Sequence, residues 1–153
     1  MQPISKIRRA TASDADDVAA CVQAAYRMHL TRMRRPPGPM LRNYAQVIAA
    51  HQVWLSLIQD RIVGVLVLME RDDHLLLDNI AVHPVHRGQG LCGELLALAD
   101  TEAARQGFSE LRLYTHVTMA ENVALYQAKD WVITGQGVEN GYERIFMTKR
   151  LAS

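Results

Sequence analysis

Apolar and polar positions alternate along this chain with two periods, and each stretch predicts an element. Residues 4–9 read as a short first strand. Thr11 and Ser13 then offer N-cap hydroxyls, and Asp14, Asp16 and Asp17 put negative charge in a first helical turn. Val18, Cys21, Val22 and Ala25 recur at helical spacing and predict a helix to about Leu30. Residues 32–39 hold three prolines and a glycine, which predicts a loop inside the domain. A short second helix is predicted over residues 41–50. Residues 52–59 and 61–70 read as two strands with Asp60 near the turn, and residues 74–82 as the next strand, ended by Pro84. Leu91, Leu95, Leu98 and Ala99 line one face of a helix over residues 90–106, with Gly107 as its stop. Residues 110–115 predict a strand. Thr118 and Glu121 fit a capping box for a helix to about Lys129. Residues 131–134 and 142–149 read as closing strands, joined by a polar, glycine-rich link over residues 135–141.

That order predicts an α/β fold: one domain over residues 1–153, with a mixed sheet of about seven strands flanked by four helices. At 153 residues, 49% of them hydrophobic, the chain can bury one core. Its formal net charge of +1 argues against a nucleic-acid partner. Cys21 and Cys92 lie too far apart for metal-ligand spacing, so no metal is expected and free thiols in a cytoplasmic protein are the simpler reading. Residues 1–10 lack the apolar run of a signal peptide, and no apolar stretch reaches membrane-spanning length.

Candidate chemistry concentrates at Arg87, Gly88, Gln89, Gly90, Leu91, Cys92 and Gly93, between a strand and a helix. Glycines there let a backbone approach a ligand, and the N–H groups at a helix N-terminus point at it. The dipole favours a diphosphate, and Arg87 adds positive charge. A purely structural glycine turn is the alternative for the loop taken alone.

With its flanks, the loop resembles the pyrophosphate-binding motif of the GNAT family of N-acetyltransferases, Arg/Gln-x-x-Gly-x-Gly/Ala. Arg87, Gly90 and Cys92 occupy its three fixed places. The strand from Leu77 to Pro84 resembles that family's fourth strand, and the likeness continues through Leu111 to Tyr114 and through Leu125 and Tyr126. The resemblance implies a splayed fourth and fifth strand. It further implies that backbone groups of Ile80, Ala81 and Val82 meet the pantetheine arm and thioester of acetyl-CoA, and that Tyr126 protonates the departing thiolate. Cys92 stands where the family has glycine or alanine; a catalytic thiol there is a competing idea. Met119 replaces a coenzyme-contacting asparagine, and Asn122, on the same helix face as Tyr126, can take over that contact. Tyr114 replaces the catalytic glutamate of some relatives. Candidate bases are Asp78, His116, Glu143 and His83; a relayed water or an amine arriving neutral needs none of them.

By the same resemblance the acceptor side is formed by the first two helices, their loop and the late strands. Arg32, Arg34 and Arg35 there form either a solvated loop or a site for an anionic acceptor. Tyr44, Tyr142 and Trp54 could supply an aromatic wall, and Met28, Met33 and Met40 core. The expected activity is acetyl transfer from acetyl-CoA to a primary amine of a small molecule. A protein N-terminus or lysine as acceptor, a longer acyl group, and an acyl-CoA sensor without catalysis are the alternatives. The expected partners are the coenzyme and the amine, with a homodimer left open.

Overall fold

Period-two segments become strands here because one residue in two finds an apolar layer on either side of the sheet. The protein is described from a computed structural model over residues 5–27, 30, 36 and 38–151. The strands are β1 (Lys6–Arg9), β2 (Gln52–Ile58), β3 (Arg61–Glu70), β4 (Leu75–Val82), β5 (Glu110–His116), β6 (Val132–Glu139) and β7 (Tyr142–Arg150). The helices are α1 (Ala15–Tyr26), α2 (Tyr44–Ala50), α3 (Leu91–Arg105) and α4 (Ala120–Ala128). The sheet runs β1-β2-β3-β4-β5-β7-β6 and is antiparallel except for the β4–β5 pair.

Two cores sandwich it. Val65 and Val67 of β3 point to α1 and α2, against Val18, Val22 and Val47. Leu66 and Leu68, one residue out of phase, point to α3 and α4, against Leu95, Ala99 and Val123. Leu95 is fully buried, so truncation to alanine would cost roughly 2–5 kcal/mol. Gly64 lets α3 approach: a Cβ there would sit 3.1 Å from the Leu95 side chain and from Ser56.

Two features of β4 position everything that follows. It pairs with β5 only at Leu75–Leu111 and Leu76–Arg112, after which the strands part. It also bulges. Val67 opposes Asn79 and Leu68 opposes Leu77, so Asp78 is the extra residue.

Several local expectations shift. α2 starts at Tyr44 because Asn43 caps it, its Oδ1 accepting from the Gln46 N–H at 3.3 Å. Thr118 caps nothing; Met119 is the N-cap of α4, and the Thr118 N–H goes to His116 Nδ1 at 3.1 Å. The glycine-rich link is mostly strand. Gly135 and Gly137 lie within β6 beside the Phe146 ring, which a Cβ would meet at ordinary contact distances of 3.9 and 3.6 Å, and the turn shrinks to Asn140-Gly141 at positive φ. α1 ends at Tyr26, short of Leu30; Met28, Arg32, Met33, Arg34 and Arg35 lie outside the described residues.

Candidate active site

The gap between β4 and β5 opens two adjoining cavities. One, of about 470 Å³, is lined by Ile80, Ala81 and Val82 of β4, the loop before α3, the start of α3, and one face of α4. Backbone alternation defines its edge. The His83 N–H donates to Val63 O at 2.8 Å, so residues 83 and 81 turn their backbone groups to β3. Ile80 and Val82 therefore turn theirs to the gap. Of the three positions expected to offer backbone groups, Ala81 offers a side chain only.

Gly88 and Gly90 hold φ of 79° and 82°, the left-handed region where a Cβ is strained, while the space above them is open. Gly90 is the N-cap of α3. The Glu94 N–H bonds back to Gly90 O at 3.1 Å, so the N–H groups of Leu91, Cys92 and Gly93 precede the first helical bond. This is a helix N-terminus suited to an anion. Arg87 lines the cavity while its Nη2 donates to Ala25 O at 2.7 Å, tying the loop to the C-terminal end of α1. Gln89 does not line the cavity; its side chain meets His86 at 3.0 Å. From α4 come Asn122, Tyr126 and Lys129, one turn apart on one face. Lys129 escaped sequence reasoning, although its spacing from Tyr126 marks it.

Tyr126 is buried, 6% exposed, and burial first, then the nearby Cys92, pushes its phenol well above the usual range. The phenol stays protonated at neutral pH. Burial also raises the Cys92 thiol to about 11, against a small opposing effect of Lys129. Desolvation thus argues against a thiolate at Cys92 near neutral pH.

The second cavity, about 60 Å³, is lined by Tyr26, Pro39, Asp78, Tyr114, His116, Met119, Tyr142 and Arg144, among others. Tyr26 lines both cavities, and its hydroxyl donates to Asn79 Oδ1 at 2.6 Å. The bulge sends Asp78 and Asn79, consecutive residues, to the same side of the sheet. Asp78 is 2% exposed at its side chain and ion-paired with Arg42. The Tyr114 hydroxyl donates to Asp78 Oδ1 at 3.2 Å and accepts from Arg42 Nη2 at 3.3 Å. Beyond this wall lies an open groove of about 720 Å³, which shares Asp78, Tyr114 and Arg144 with the small pocket.

At His116 the ring Nδ1 accepts the Thr118 N–H, so the neutral ring carries its proton on Nε2. Burial lowers its pKa, with Glu143 opposing and Arg144 adding to the shift. Tyr142 stands edge-on to His116, ring centroids 6.4 Å apart, and donates its hydroxyl to Pro36 O at 2.7 Å. Tyr44, expected at the acceptor, is instead 4% exposed in the α1–α2 core. It donates to Pro39 O at 2.7 Å and lines neither cavity. Trp54 packs below α3 and under Arg9, away from the pocket.

The sequence profile of the "Acetyltransferase (GNAT) family" matches residues 18–129. The chain belongs to the GNAT family. As a GNAT domain it is an acyltransferase of the N-acetyltransferase class. No curated protein sequence matches it significantly. The GNAT fold extends over nearly its whole length. The PaiA N-acetyltransferase of Thermoplasma acidophilum, solved with coenzyme A, matches with TM-score 0.82 and 14% identity, covering 96% of this chain and 99% of that one. A GNAT acetyltransferase of Elizabethkingia anophelis with acetyl-CoA bound gives 0.71 and 22%, over 96% and 98%. The IAA acetyltransferase of Bacillus cereus gives 0.75 and 22%, over 97% and 100%. In this GNAT domain the expected splay of the fourth and fifth strands is present. Among the described residues no group of three His, Cys, Asp or Glu could hold a metal, and no helix is long and apolar enough to cross a membrane.

Proposed function

We propose that the protein transfers an acetyl group from acetyl-CoA directly to a primary amine of a small molecule, with Tyr126 as general acid. One observation carries the reading: a protonated, buried Tyr126 shares a cavity with the α3 N-terminus and the open β4 edge, and Tyr26 lines both that cavity and a second pocket. Bound acetyl-CoA supplies the activated acyl group. The N–H groups of Leu91, Cys92 and Gly93, with Gly88 and Gly90 below them, suit its diphosphate, and Arg87 and Lys129 flank that position. Ile80 and Val82 offer backbone groups to the amide arm and to the carbonyl under attack. Asn122 stands beside them in place of the asparagine that Met119 replaces.

The acceptor pocket admits an amine and its first carbons, which favours a small molecule over a folded surface. We read Asp78 as a positioning carboxylate: Arg42 already neutralises it, and it holds Tyr114 in the wall. His116 Nδ1 is engaged by Thr118, so His116 serves as a donor through Nε2. The amine then loses its proton to water or arrives neutral.

Replacing Tyr126 with Phe should lower kcat by about 100-fold while leaving acetyl-CoA affinity within about twofold, read by released thiol and by calorimetry. Unchanged turnover at saturation removes the assigned role. The engaged state of Asp78 and His116 favours one rival reading, an acyl-CoA sensor. Tight acetyl-CoA binding with only slow hydrolysis across a broad amine panel would select it.

A further inference from the structure

We infer that the acceptor amine carries a carboxylate, received by Arg144; this rests on the acetyl-transfer reading above. Arg144 comes from β7 and lines both the small pocket and the outer groove. Its guanidinium carbon lies 4.1 Å from the centre of the Tyr114 ring and 5.6 Å from that of Tyr142. Stacking of this kind fixes the plane of the fork and leaves its N–H edge for a ligand. The side chain is only 15% exposed, so its charge is partly desolvated. Yet among the described residues it donates one hydrogen bond, Nη1 to Glu139 Oε1, at a long 3.4 Å. Glu139 is itself half exposed. Five donors with one long bond between them make an under-used site.

The surroundings point the same way. Of the arginines lining the groove, Arg42 is paired with Asp78 and Arg112 with Glu110 and Asp73, whereas Arg144, among the described residues, has only its long contact with Glu139. His116, uncharged with its proton on Nε2, adds a donor on the pocket side. A planar carboxylate matches the Arg144 fork with two parallel bonds, displacing the weak Glu139 contact. The amine would then lie in the small pocket that Tyr26 shares with the coenzyme cavity. The anionic-acceptor recognition that is one alternative for Arg32, Arg34 and Arg35 is thereby assigned to a strand residue far away in sequence.

The test compares glycine, β-alanine, γ-aminobutyrate and L-glutamate with their amides, and with phosphoethanolamine, in a released-thiol assay. The best acid should exceed its amide in kcat/KM by about 10- to 100-fold. Arg144→Met should bring that ratio near one, Arg144→Lys should keep part of it, and Glu139→Gln should raise it. Acetyl-CoA affinity should not move in any of them. Acids and amides used equally, phosphoethanolamine alone preferred, or R144M lowering both classes alike would overturn the inference. Calorimetry on the CoA-loaded protein with N-acetyl acids and N-acetyl amides reads the same ratio without turnover, and equal affinities there are equally fatal. Failure of acetyl-CoA to bind, or transfer to no amine of either class, would sink the proposed activity itself.

Discussion

The cavities proposed for the coenzyme and for the acceptor meet at Tyr26 but are made differently. The cleft is a backbone device. Two glycines at positive φ, three N–H groups ahead of a helical bond and an unpaired strand edge do its work, all within a few short stretches of chain. The pocket is a side-chain device. Its wall joins Arg42 to Tyr114 across 72 positions and Tyr26 to Asn79 across 53. A backbone device tolerates an exchange such as Cys92 for glycine, because the N–H groups are unaffected. A side-chain device fails when one member is removed.

The largest test of that contrast is Asp78→Ala. It strands Arg42 in a wall where the guanidinium is 25% exposed, and should cost about 3 kcal/mol in urea unfolding. The double variant Arg42→Met, Asp78→Leu should recover most of it; a loss below about 1 kcal/mol in the single variant would show that the pair holds nothing. On the cleft side, Gly90→Ala forces a Cβ onto φ of 82° at a cost of about 1 kcal/mol. Its signature should be weaker acetyl-CoA binding with acceptor KM unchanged. For Cys92, a thiol at about 11 should react with iodoacetamide at pH 8 at least about tenfold more slowly than free cysteine. A rate equal to the free thiol would restore it as a nucleophile candidate.

The smallest effect concerns His116. Its folded pKa is lowered, so the unfolded chain binds the proton more readily. Stability is complete above about pH 6.5 and declines as pH falls through that value. His116→Gln should flatten that decline, seen as a shallower fall of Tm between about pH 6.5 and 5; an unchanged slope would place the titration elsewhere.

Element order was legible because it follows from period and punctuation. Gly107 and Asp130, at φ of 85° and 72°, stop α3 and α4 where turn chemistry says they should. The glycine turn ahead of α3 was legible for the same reason: glycine spacing is local. Tyr26, Arg42 and Arg144 were not, because no local signal distinguishes a tyrosine at the end of α1 or an arginine in β7 from a surface residue. Only the sheet order, which seats β7 between β5 and β6, brings Arg144 over Tyr114. Tyr44 misled because an aromatic near a loop can as readily cap a core as line a pocket. Residues 135–141 misled because glycines signal turns, whereas Gly135 and Gly137 here lie within β6 and only Gly141 sits in the turn.

The bulge at Asp78 divides β4 into two reading frames. Before it, odd-numbered residues such as Leu75 and Leu77 face α3 and α4; after it, the even-numbered Ile80 does. Inserting or deleting one residue on either side would therefore invert only half the strand.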